Sequence, residues 1–203
     1  MSDVDRAIAQ IADIRAQLAV STRFSGYAPA AVGGIGVLSV LITLLQLGLP
    51  GRFAANDRQF IIIWGLLLAS GFLLIGFEAV VRTLRDNDDM ARHMLLSATR
   101  IVVPSFLVST VVPVALLEYS PEAAWIVPGI WQMVMALVAF AAFPSMPRKI
   151  VWPGLWFLLS GMAGICLAGH IGGLTPLLVG GPFIVGHFAI AWVLSDRETP
   201  PRA

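Results

Sequence analysis

The sequence predicts an all-α polytopic membrane protein: a bundle of six transmembrane helices preceded by a cytoplasmic amphipathic helix. Three observations predict it. Hydrophobic residues make up 58% of the 203-residue chain and charged residues only 12%, against roughly 45–50% and about 25% in soluble domains, so lipid must cover much of the surface. Six stretches approach the roughly 20 apolar residues that a bilayer core requires: residues 30–49, 60–81, 101–117, 123–143, 150–168 and 174–194. The arginines, finally, are sorted by side.

That sorting gives the orientation. Arg6, Arg15 and Arg23 precede span one, Arg82, Arg85, Arg92 and Arg100 lie between spans two and three, Arg148 and Lys149 between spans four and five, and Arg197 and Arg202 after span six. The opposite side has Arg52 and Arg58. Lys and Arg in short loops are retained in the cytoplasm, so both termini are expected there. Residues 1–28 lack the apolar run of a cleavable signal peptide and carry Asp3, Asp5 and Asp13, so span one is expected to be an uncleaved anchor. The chain divides into an amino-terminal lead-in (1–28), the bundle (29–195) and a cytoplasmic tail (196–203).

Within the lead-in, Val4, Ala7, Ile11, Ile14 and Leu18 repeat at heptad-like spacing with Ile8 alongside, while Asp5, Arg6, Gln10, Asp13 and Gln17 fall on the other side. This is the pattern of an amphipathic helix. Its stripe is expected either to lie on the membrane or the protein's own loops, or to dock a second copy or a cytoplasmic partner through Val4, Ile8, Ile11, Ile14 and Leu18. Lipid is the other expected partner.

Span three holds Pro104 and Pro113, which predicts a kinked helix whose freed carbonyls are satisfied by neighbours. Trp125 and Trp131 open span four, Trp152 and Trp156 open span five and Trp192 closes span six, as interfacial anchors would. Small residues at Ala30/Gly34, Gly65/Ala69 and Ser160/Gly164/Ala168 predict close helix approach. Residues 64–71 resemble residues 155–161, spans that run in opposite directions, as an inverted repeat would require.

Ionisable and amide groups at membrane depth are the candidate binding residues. Glu78 lies four residues before Arg82, on one helical face where the two can pair. His187 falls about 20 Å into span six, after Gly180, Gly181, Pro182 and Gly186, a pattern that predicts either a broken or kinked helix exposing backbone to a cavity or glycines for close packing around a histidine bonded across the helix interface. Gln132 sits beside another Gly/Pro interruption, Pro128 and Gly129, and is expected either to bond across the bundle or to line a site with His187. Glu118 and His170 are expected to be solvated at the far side, His170 in a Gly-rich turn, and Cys166 to be an inert buried thiol.

No cofactor, metal site or enzymatic activity is expected. His170 and His187 differ in depth by about 20 Å, too far to share a haem iron. Zinc-peptidase, hydrolase, P-loop and Cys-pair motifs are missing, and the run from Asp86 to Asp89 lacks the Gly and distal Glu of a calcium loop. Without a basic patch, nucleic acid is excluded as a partner. Arg6, Ala7, Ile11, Ile14, Arg15 and residues 24–27 before span one, with residues 128–132, Pro147 and Arg148 around span four, resemble a group of proteobacterial inner-membrane proteins of about this size for which no activity is established. The resemblance implies a bacterial inner membrane and structural roles for Gln132 and Tyr27. The function expected is binding, as an accessory or regulatory subunit, with a small transporter or channel built on a mid-membrane polar site as the alternative.

Overall fold

Backbone groups in lipid have no water to bond, so each apolar stretch must close its own hydrogen bonds as a helix. In a computed structural model of the chain, residues 29–86, 89–143, 146–171 and 173–196 are described, with the backbone alone for residues 82, 85–86 and 89–94. The amino-terminal docking candidates Val4, Ile8, Ile11, Ile14 and Leu18, and Tyr27, lie outside them. Six helices are long and apolar enough to cross a membrane: Pro29–Gly48, Asp57–Val81, Leu95–Tyr119, Pro121–Ala142, Arg148–Ile171 and Pro176–Ser195, here spans one to six. Spans two and three belong to longer helices, Asp57–Asp86 and Asp89–Tyr119. At 1.5 Å per residue these reach about 45 Å, and their surplus lies on the side that carries the two ends of the described bundle, the terminal side.

Span three is longer than its apolar run of residues 101–117 suggests. Arg100 bounds that run in sequence, yet the helix continues through it, because an exposed arginine on a long stem can sit near the interface without ending the helix. Pro104 and Pro113 both lie inside this helix. Only 6% of span three is buried, against 28–44% for the other five, so it is a peripheral helix leaning on spans two and four.

The tightest pairings are span four with span five and span one with span six. A Cβ on Gly129 would stand 2.8 Å from the Gly161 carbonyl oxygen, and one on Gly161 2.9 Å from that of Gly129, so these backbones touch. Likewise a Cβ on Gly180 would meet Thr43, and one on Gly186 the ring of Phe157. Spans one and two, the partners that an inverted repeat would match to four and five, pack less closely. Trp64, Trp131, Phe157 and Phe183 fill the centre and are fully buried. Edge contacts join Trp64 to Phe183 at 5.6 Å and Phe183 to Phe157 at 6.0 Å between ring centroids.

Two expectations are corrected here. Trp131 is not an interfacial anchor but a core residue, 1% exposed, whereas Trp152, Trp156 and Trp192 do face outward. Cys166 is exposed on the bundle surface: Gly161, Gly164 and Ala168 give span five its inner face, which leaves the thiol on the outer one.

On the terminal side, Lys149 Nζ and Asp196 Oδ2 pair at 2.5 Å, and the same ammonium lies 5.5 Å from the Trp192 ring centroid. Both charged side chains are about half exposed, so solvent screens them. Asp196→Asn is expected to change the unfolding free energy by less than about 1 kcal/mol, measured by thermal melting in detergent.

Candidate functional site

Among the described residues, some buried polar groups are consumed by the fold, while His187 keeps a ring nitrogen available. Prolines inside helices create the first case, because a missing N–H frees the carbonyl four residues earlier. Pro182 frees Leu178, and Gln132 Nε2 donates to the Leu178 oxygen at 3.0 Å. Pro113 frees Ser109, and Trp131 Nε1 donates to the Ser109 oxygen at 2.8 Å. Two consecutive residues of span four thus serve two different spans. Trp156 Nε1 also donates to the Pro182 oxygen, at 3.0 Å.

With Leu178 satisfied from outside, span six does not break. The helix Pro176–Ser195 continues through Gly180, Gly181 and Pro182, and Gly180 and Gly186 serve close packing, the second of the two readings the sequence offered and not the broken helix. Gln132 is fully buried, and its other amide atom, Oε1, is sealed off without a hydrogen-bond partner.

Span one carries a polar stripe that sequence reasoning missed. Ser39 Oγ donates to the Ile35 oxygen, Thr43 Oγ1 to the Ser39 oxygen, and Gln46 bridges the Trp64 indole and the Phe53 carbonyl. Spacing of four and then three places Ser39, Thr43 and Gln46 on one helical face. That period was the available signal; without a charge or a neighbouring proline it drew no attention.

His187 is the second case. It is 3% exposed, and its Nδ1 lies 2.8 Å from the Phe183 carbonyl oxygen one turn earlier. A carbonyl only accepts, so Nδ1 carries the proton, and the neutral ring presents Nε2 as an acceptor. Rings of Phe157 and Phe183 stand 5.8 and 5.4 Å from it and fix its plane. Nε2 has no partner among the described residues, and it is not among the sealed atoms, of which Gln132 Oε1 is the one found. The His187 ring lines a cavity.

That cavity has a volume of about 390 Å³ and lies between span three and the rest of the bundle. Its walls are apolar, with Leu68, Phe72, Phe106, Met135 and Ile190 among them, and His187 and Thr99 are the polar side chains in the lining. Leu73 and Val80 of span two and Val103 and Leu107 of span three line it while also facing outward. The cavity therefore opens sideways, between spans two and three, on the outer face of the bundle. It occupies the terminal-side half of the bundle: His187 lies eight residues before Ser195, about 12 Å along the helix.

The sequence candidates are not gathered in one place. Of the three whose side chains are described, His187 lines the cavity and Gln132 and Glu78 do not. Gln132 is committed to Leu178, and half-buried Glu78 lies outside the lining. Arg82 shares the helix with Glu78 one turn on, as the pairing requires, but its side chain is outside the described residues. Glu118 is exposed, and His170, also exposed, sits in the last turn of a helix rather than in a turn, its Nδ1 2.8 Å from the Cys166 oxygen. No group of residues suited to hold a metal ion occurs among the described residues. Comparison with protein-family models, curated proteins and solved structures found no match.

Proposed function

We propose that this integral membrane protein acts by binding: it takes an apolar, membrane-soluble molecule from the bilayer into the cavity beneath span three. The observation that carries the reading is the cavity itself. Its size falls in the roughly 300–1,000 Å³ range of small-molecule sites, and its apolar walls with few polar groups are the usual composition of one. Conduction of a polar solute is less well supported, because such a path needs polar groups along the bundle, and Gln132 and Glu78 lie off the cavity. The arginine bias of the terminal side favours a cytoplasmic position for both ends and, with the resemblance noted above, a bacterial inner membrane. The protein is then a non-enzymatic subunit that senses or presents its ligand to a partner, and residues 4–18 are the proposed docking helix.

Gly76 provides the test. It lines the cavity, and a Cβ there would meet nothing within 4 Å, so the side chain of Gly76→Leu starts in open space at the cavity wall and takes up part of its volume. The full-length protein, extracted gently from native membranes, is expected to carry a discrete apolar compound detectable by mass spectrometry, and the variant to lose it with an unchanged or raised melting temperature. The same bulk lipid mixture from both proteins rejects the proposal.

A further inference from the structure

We infer that the ligand is an uncharged apolar molecule bearing a hydroxyl group, which donates its hydrogen bond to Nε2 of His187. The inference rests on the binding reading above and adds the chemistry that selects the ligand. Apolar walls alone discriminate little within a membrane, since lipid tails are as apolar as the lining and only packing contacts are gained on entry. Selection must come from the polar atoms. Thr99 Oγ1 already donates to the Leu96 oxygen within its own helix, whereas His187 Nε2 has no partner among the described residues. With the proton held on Nδ1 by the Phe183 carbonyl, the ring offers the cavity an acceptor. Its complement is a donor, and the donor common to membrane-soluble molecules is a hydroxyl.

Position and charge narrow the class further. The acceptor lies about 12 Å inside the terminal-side end of span six, in the hydrocarbon, and the cavity lining carries no Asp, Glu, Lys or Arg among the described residues. A phospholipid headgroup taken to that depth would have to shed the water around both its charges, at a high cost. A lipid alcohol, a diacylglycerol or a quinol has no such charge. Its hydroxyl reaches His187 while its hydrocarbon leaves between Leu73 and Val80 on one rim and Val103 and Leu107 on the other, where the cavity meets the lipid.

The test uses the full-length protein in phosphatidylcholine nanodiscs, with three probe pairs: a diacylglycerol, a long prenol and a ubiquinol, each beside its O-methyl ether. Native mass spectrometry reads the bound fraction. At least one hydroxyl compound should bind the wild type about tenfold better than its ether, as one well-made hydrogen bond allows. His187→Phe should bring that ratio near one while leaving ether binding in place, and which pair shows the preference identifies the source. Equal binding of alcohol and ether to the wild type, with both lost in Gly76→Leu, overturns the hydroxyl inference and leaves the cavity reading standing. Binding that Gly76→Leu does not touch, or no binding of any probe, overturns both. Nitrogen NMR of the wild-type imidazole gives a second reading that does not depend on a variant's folding: the Nε2 resonance should move with the alcohol and stay with the ether, and an unmoved resonance overturns the inference.

Discussion

Gly129→Ala is expected to destabilise the bundle by about 3 kcal/mol, the upper part of the range for overpacked sites, and Gly129→Val to prevent recovery of folded protein. The sign is opposite to the helix-propensity effect, which favours alanine over glycine by up to about 1 kcal/mol. Sterics win because of what the new methyl meets. It would stand 2.8 Å from the Gly161 carbonyl oxygen and 2.3 Å from Ile165 Cγ1. A side-chain end can turn away, but a backbone oxygen in a helix moves only with its helix, so relief requires separating spans four and five along their closest seam. Gly34→Ala and Gly164→Ala are the controls: a Cβ at either position meets nothing within 4 Å, and both variants should melt within about 1 kcal/mol of the wild type or above it. Melting followed by size-exclusion chromatography in detergent separates the cases, and equal behaviour of Gly129→Ala and Gly164→Ala removes the close-contact account.

The contrast between those glycines marks how far the sequence could be read. Four-residue spacing of small residues correctly pointed to Gly65, where a Cβ would touch Trp131, but also to Gly34 and Gly164, where a Cβ meets nothing within 4 Å, and not to Gly129, Gly180 or Gly186, the closest approaches. The reason is physical: a glycine is required only where a partner's atoms lie, and the crossing point of two helices is a property of both. Span number was legible because lipid acts on each segment separately, demanding length and apolarity that a single stretch displays. His187 was legible for the same reason, since an ionisable group in an apolar run is conspicuous without knowledge of its neighbours. Its cavity was not, because the cavity is what remains when span three packs loosely against spans two and four. Nor was Trp131 legible as a core residue. At the start of a span a tryptophan matches the interfacial pattern, and only the proline at 113 in another helix gives its indole a buried carbonyl to bond.

That dependence on a proline in another helix makes a second large effect predictable. Trp131→Phe is expected to cost about 2 kcal/mol: roughly 1 for the hydrogen bond to the Ser109 carbonyl, in line with interhelical bonds in membranes, and the rest for the smaller ring in a fully packed site. The bond has this value because Pro113 leaves the Ser109 oxygen without its helical donor. Ser109 is buried, so lipid offers no substitute. If the two prolines shape the bundle by exporting their missing donors to span four, then restoring the donor should make the tryptophan partly redundant. In a Pro113→Ala background the residue-113 N–H can return to the Ser109 oxygen, and the cost of Trp131→Phe should fall by about 1 kcal/mol, the hydrogen-bond share alone. A double-mutant cycle on detergent-solubilised protein measures this coupling directly. A cost of Trp131→Phe that is the same in both backgrounds would mean that the indole contributes by volume and that the carbonyl freed by Pro113 is satisfied some other way.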